Sequence, residues 1–166
     1  DGLYFVSISV VGWLDVFTRR IYQDILVESL QFCQQNKNFK LYCYCIMNSR
    51  VHFIANSENG SLTTVLRSLK SFTAKEIMKA INDNIQESRK ELFQHQFTYY
   101  GKKNKNAALQ FWKHVNHPFY LYSNEMIDQK FEYIHQNPVE AGFVKEAYEW
   151  RLTSANPCSP IKIEVL

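Results

Sequence analysis

The stretch Phe39-Lys40-Leu41-Tyr42-Cys43-Tyr44-Cys45-Ile46-Met47-Asn48-Ser49-Arg50-Val51-His52-Phe53-Ile54-Ala55 decides the fold. Phe39 to Met47 and Val51 to Ala55 are dense in aromatic and β-branched residues, and only the short turn Asn48-Ser49 separates them, which is the pattern of an antiparallel hairpin. A hairpin this apolar needs further strands and helices to cover it. On its N-terminal side, Thr18 to Gln35 places Tyr22, Ile25, Leu26, Leu30 and Cys33 at helical spacing, marking a face that packs on a sheet. Before that helix, Tyr4 to Val11 alternates as a strand, which Gly12-Trp13 interrupts.

Past the hairpin, Leu62, Val65, Leu66, Leu69, Phe72 and Ile77 line one side of a long amphipathic helix from Ser61 to Ile81. Arg67, Ser71 and Lys75 follow one another at i, i+4 and i+8 on a different side. Residues 83–110 are polar and irregular, suggesting a short helix through Ser88 to Phe93 followed by a mobile basic loop. Phe111-Trp112 and Pro118 to Leu121 suggest the last strand, after which Asn124 caps a helix through Gln136 that Pro138 ends. The order strand, helix, strand, strand, helix, strand, helix implies an α+β protein. Its expected core is a ferredoxin-like antiparallel sheet with helices on one face and an extra C-terminal helix. Length suggests one domain over residues 1–166, with a core of about residues 4–150. Such a fold hosts many functions, and no function follows from it without a site.

Composition narrows the classes. Of 166 residues 46% are hydrophobic, enough to bury one sizeable core. There is no run of eighteen apolar residues and no secretory signal pattern, so the expectation is a cytoplasmic protein with no membrane partner. Cys33, Cys43, Cys45 and Cys158 show neither zinc-site pairing nor the density of a disulfide scaffold, and they read as reduced and structural. A net charge of +3 permits nucleic-acid binding without demanding it. Lys and Arg collect from Arg67 to Lys75 and again from Gly101 through Lys102, Lys103 and Lys105, with Lys113 beyond. Such runs are more often solvated surface than a nucleic-acid patch, and they count as evidence only beside a catalytic motif.

Two segments supply that motif. Cys45-Ile46-Met47-Asn48-Ser49-Arg50-Val51-His52-Phe53-Ile54 and Tyr133-Ile134-His135-Gln136-Asn137-Pro138-Val139-Glu140-Ala141-Gly142-Phe143-Val144 resemble the REP-associated tyrosine transposases, members of a single-strand nuclease superfamily named for a His-hydrophobic-His motif. The resemblance runs from Tyr4 to about Trp150, and Phe111-Trp112 with His117-Pro118 also fits its pattern. It implies two histidines, one residue apart on a central strand, holding a divalent metal, magnesium or manganese, beside the scissile DNA phosphate. Residues i and i+2 of a strand share a face and can share an ion. Here that pair is Arg50 and His52, and a guanidinium cannot ligate a cation.

The resemblance further implies that Tyr133 is the nucleophile and that Asn137, one helical turn on, completes the metal site with His52. A phenol ordinarily titrates near ~10, so it needs a cation close by to act at neutral pH. The implied reaction is attack on single-stranded DNA, giving a 5′-phosphotyrosine and a free 3′-hydroxyl. Arg50, Arg67, Lys70, Lys75, Lys102, Lys103 and Lys105 are the candidates for phosphate contact. The partner implied is single-stranded or hairpin repeat DNA, with the protein a monomer or homodimer.

Each of these residues also has a structural reading. A histidine on an apolar strand is usually a core residue, a helical tyrosine usually packs, and Asn-Pro is a common helix stop. His114 and His117 have metal-like spacing but no accompanying ligands, and His135 lies roughly opposite the proposed site. Two functions stay open: a transposase performing strand cleavage and transfer, or a domesticated relative that grips a DNA hairpin without cutting it. A third, an unrelated RNA-binding domain, lacks the Gly-rich aromatic pattern such sheets carry.

Overall fold

The computed structural model describes residues 2–105 and 107–166, apart from the side chain of Lys105. Its elements are β1 (Leu3–Ser9), α1 (Arg20–Asn36), β2 (Phe39–Ile46), β3 (Arg50–Ser57), α2 (Leu62–Asp83), α3 (Lys90–Lys105), β4 (Phe119–Leu121) and α4 (Asn124–Glu140). The strands form one antiparallel sheet in the order β2-β3-β1-β4. This is the α+β, ferredoxin-like arrangement expected. No helix among the described residues is long and apolar enough to cross a membrane.

The period-2 alternation of the hairpin assigns its side chains to two cores. Val51, Phe53 and Ala55 of β3, with Val6 and Ile8 of β1, face the larger core shared with α1, α2 and α3. Cys43 and Cys45 of β2 and Ile54 of β3 face the other way, onto Ile134 of α4. Thus α4 covers the second face, packed on β2 and β3 with Trp150 beside it. The chain after Trp150 also packs: Leu152 and Ile161 join the larger core, and Thr153 bridges to Cys45.

Four expectations for the second half need correction. Residues 90–105 form a sixteen-residue helix, not a short helix with a mobile basic loop, so Lys102 and Lys103 are helical. The reason is an apolar stripe, Phe93 and Phe97 with Tyr100, that packs into the larger core beside Phe111 while polar residues fill the other positions. The chain then turns back so closely that a Cβ on Gly101 would lie 2.9 Å from the backbone of Ala107 and Leu109. The helix α4 is capped by Ser123, whose Oγ accepts the Met126 N–H at 3.2 Å, and not by Asn124. It also runs through Pro138 to Glu140. A proline so near the C-terminus forfeits only one hydrogen bond, and the turn closes instead at Gly142, where φ is +81°. The last strand is likewise divided: Trp112 makes an isolated bridge to Val10, and β4 resumes at Phe119.

Candidate functional site

Strand β3 delivers Arg50 and His52 to the sheet face that α4 covers, opposite Ser9 and Ser7 of β1. On α4, Ile134, Asn137 and Pro138 are buried against the sheet, which fixes the rotation of the helix. That rotation brings Tyr133 to the edge of the contact, 42% exposed, with Asn137 one turn further on. The ring of Tyr133 meets His52 edge-on at 5.5 Å between centroids and Phe5 at 5.9 Å. The His52 ring stacks on Phe5 at 5.9 Å with 15° between planes. Arg50 Nη2 donates to Asn137 Oδ1 at 3.4 Å, a long hydrogen bond. Arg50, His52, Tyr133 and Asn137 therefore lie together, the first two sharing a face of β3 and the last two a side of α4.

His52 is 3% exposed, and neither ring nitrogen has a hydrogen-bond partner among the described residues. Burial, reinforced by the charges of Arg50 and then Lys130, pushes its pKa down from 6.5 to about 4. The Lys130 ammonium lies 4.6 Å from the centroid of Phe5 and 5.3 Å from that of Tyr133. Helical spacing could have identified Lys130, because it stands i−3 from Tyr133 and i−7 from Asn137.

Comparison with known proteins places this geometry. Residues 14–114 match the family described as Transposase IS200 like. The chain belongs to the IS200-like transposase family. The matched stretch includes Arg50 and His52 and ends before α4. One solved structure with the same fold is a REP-associated tyrosine transposase bound to a REP hairpin, at a TM-score of 0.62 and 15% identity over 92% of this chain and 76% of that one. Another, assigned as a transposase from Deinococcus radiodurans R1, matches at a TM-score of 0.46 and 16% identity, covering 80% of this chain and 87% of that one. No curated protein matches.

For an IS200-like transposase, the donor set here does not fit a divalent metal. The unpartnered nitrogens of His52 would suit one, but the other neutral donor, Asn137 Oδ1, accepts from Arg50, and the fixed charges of Arg50 and Lys130 oppose a dication. Among the described residues, no three of His, Cys, Asp or Glu gather into a cluster able to hold a metal ion. His135 lies away from the pair, its Nε2 2.8 Å from Ser154 Oγ and 3.3 Å from Cys43 Sγ, and burial lowers its pKa. His114 and His117 line a cleft with Arg67 and Lys70 and join no ligand set.

The basic residues of this transposase relative do not form one patch. Arg67 and Lys75 are exposed on α2, which packs into the core on the sheet face opposite Tyr133. Lys70 is tied down, donating to Lys113 O and Asn116 Oδ1 at 2.7 Å each, so it braces the segment after Trp112. Lys102 and Lys103 are exposed near the end of α3, and the Lys103 ammonium lies 5.5 Å from the Tyr99 centroid. The side chain of Lys105 lies outside the described residues. Of the predicted phosphate ligands whose side chains are described, Arg50 alone stands beside Tyr133. Lys130 and Trp13 joined it unpredicted.

Proposed function

We propose that this IS200-like transposase holds single-stranded or hairpin DNA with a backbone phosphate on Arg50, and that in its present form it does not carry out metal-assisted strand cleavage. The observation behind this reading is the hydrogen bond from Arg50 to Asn137, in which Asn137 Oδ1 accepts from a guanidinium instead of facing an open ligand site. A guanidinium binds phosphate directly and retains its charge throughout the working pH range. Lys130 adds a second cation beside the phenol, so a phosphate entering between α4 and the end of β3 would meet positive charge on both sides.

A second reading, strand transfer through Tyr133, is favoured by the exposure of that phenol at the edge of the same site. In that reaction Tyr133 Oη forms a bond to phosphorus as the bond from phosphorus to the 3′ oxygen breaks. The products are a 5′-phosphotyrosine and a 3′-hydroxyl, which takes up the proton that the phenol gives up. The test is to incubate labelled hairpin DNA with the protein and manganese and look for a denaturant-resistant adduct. The proposed reading expects salt-dependent binding without adduct in the wild type and metal-dependent adduct in Arg50→His. Wild-type adduct that Tyr133→Phe abolishes, with hairpin affinity unchanged, would select the second reading.

A further inference from the structure

Arg50 faces a second aromatic group, one that neither reading uses. Trp13 is 55% exposed, although tryptophan is a residue that folding normally covers. Its backbone has φ +52°, a left-handed conformation that a bulky L-residue rarely adopts, and Gly12 before it has φ +62°. The turn that imposes this is closed by its own backbone and packed closely on α3. The Trp13 N–H donates to Val10 O at 3.2 Å, and a Cβ on Gly12 would come within 3.1 Å of the Tyr100 ring. The fold thus forces an indole outward at a turn where a smaller residue would be easier to accommodate.

Two cations sit at that indole. The Lys113 ammonium lies 3.5 Å from its centroid, with the Lys113 backbone fixed by an N–H donated to Ser9 O at 2.8 Å. The Arg50 guanidinium lies 5.8 Å from the same centroid while its other side reaches Asn137. Asp15, two residues along the chain, is paired with Arg89 at 2.9 Å. With Lys113 over one face of the ring, a base stacks on the indole surface left exposed while the cations take the phosphates, which is how unpaired nucleotides are bound. Duplex DNA offers no open base face to such a platform.

We propose that Trp13 is a stacking platform for one unpaired nucleobase, with Lys113 and Arg50 holding the phosphates on either side of it. Arg50 bridges the platform to Asn137, so a base on Trp13 sets the next phosphate beside Tyr133. The platform therefore fixes where along a strand the tyrosine site falls. This rests on the reading that the site binds DNA and adds the residue on which an unpaired base stacks.

The test uses two DNA hairpins with one stem, blunt or carrying a short deoxythymidine tail, in chelator. The wild type is expected to bind the tailed hairpin more tightly and to lose indole fluorescence on doing so. Trp13→Ala should lose about tenfold of affinity for the tailed hairpin and none for the blunt one, while Trp13→Phe keeps most of it and shows no quenching from the remaining Trp112 and Trp150. Should Trp13→Ala not fold, Trp13→Gly, which suits the left-handed backbone, serves in its place. Equal affinity of wild type and variant for the tailed hairpin, or no gain from the tail in the wild type, overturns the platform while leaving hairpin binding intact. Failure of the wild type to bind either hairpin overturns the DNA-binding reading, and the platform with it.

Discussion

Lowering the pH tests the electrostatics of the site through His52. The folded imidazole titrates near about 4 because burial, Arg50 and Lys130 all disfavour its charge, whereas in the unfolded chain it returns to 6.5. The unfolded state then binds the extra proton more readily. The contribution to stability is fully present above the unfolded value and is lost as the pH falls from 6.5 towards 4. At ~1.36 kcal/mol per pKa unit the drop from 6.5 to about 4 corresponds to ~3 kcal/mol, a large part of the ~5–15 kcal/mol that holds a domain together. His135 has the same sign, so the wild-type curve contains both. Urea unfolding of wild type and His52→Phe from pH 7 to pH 4 separates them, because a phenyl ring keeps the stack on Phe5 and cannot be protonated. The variant should gain on the wild type by about 3 kcal/mol across the window. Arg50→Gln should narrow the window, with the His52 ring protons titrating higher in a nuclear magnetic resonance series. Parallel curves for wild type and His52→Phe would refute the reasoning.

Other consequences are open to direct measurement. Calorimetry should detect little heat of manganese binding to the wild type and stoichiometric binding to Arg50→His; equally tight binding by both would return the metal to the site. Glu87 is buried among Tyr22, Arg19 and Arg89. Burial alone would raise its carboxyl, but hydrogen bonds from Arg89 and Tyr22 outweigh this and hold it below the ordinary range. Its stabilisation is therefore present above the unfolded carboxylate pKa and lost as the pH falls through the folded one, and Glu87→Gln should cost about 3 kcal/mol in urea at neutral pH. Thr73→Val keeps the shape of α2 but strands the Trp112 indole N–H, which donates to Thr73 Oγ1 at 2.9 Å in the core, so a loss of ~1–3 kcal/mol is expected in thermal unfolding.

The hairpin, α1 and α2 were legible because each carries one uninterrupted period over many residues, and period is what burial of one face writes into a sequence. Helix α3 was not, since Phe93 and Phe97 are too few to reveal its stripe before Phe111 and the larger core are in place to receive it. The end of α4 was misread through a local rule: proline stops a helix only where the lost hydrogen bond matters, and within the last turn it costs little. The same division holds at the site. Arg50 with His52, and Tyr133 with Asn137, follow from i, i+2 and i, i+4 spacing. Trp13 and Lys113 are a hundred residues apart, and only the bridge of Val10 to Trp112 along the β1 edge brings them together.

Arg50 links these observations. A histidine at position 50 would be a neutral ligand, and two imidazoles with an amide would concentrate a dication beside the tyrosine. Arginine at that position keeps positive charge at the site but fixes it to the chain, and it takes Asn137 Oδ1 as its own acceptor. His52 is then left with two nitrogens that nothing among the described residues satisfies and a proton affinity that burial and its neighbours suppress. On the proposed reading, the attraction for a phosphate survives while the Lewis acid that would activate it does not. Affinity and cleavage, which a metal couples, are thereby separated: the wild type should hold DNA equally well in chelator and in manganese, whereas Arg50→His should bind more weakly in chelator and recover when manganese is restored. A wild-type affinity that falls in chelator would show that the arginine has not taken over the charge of the metal.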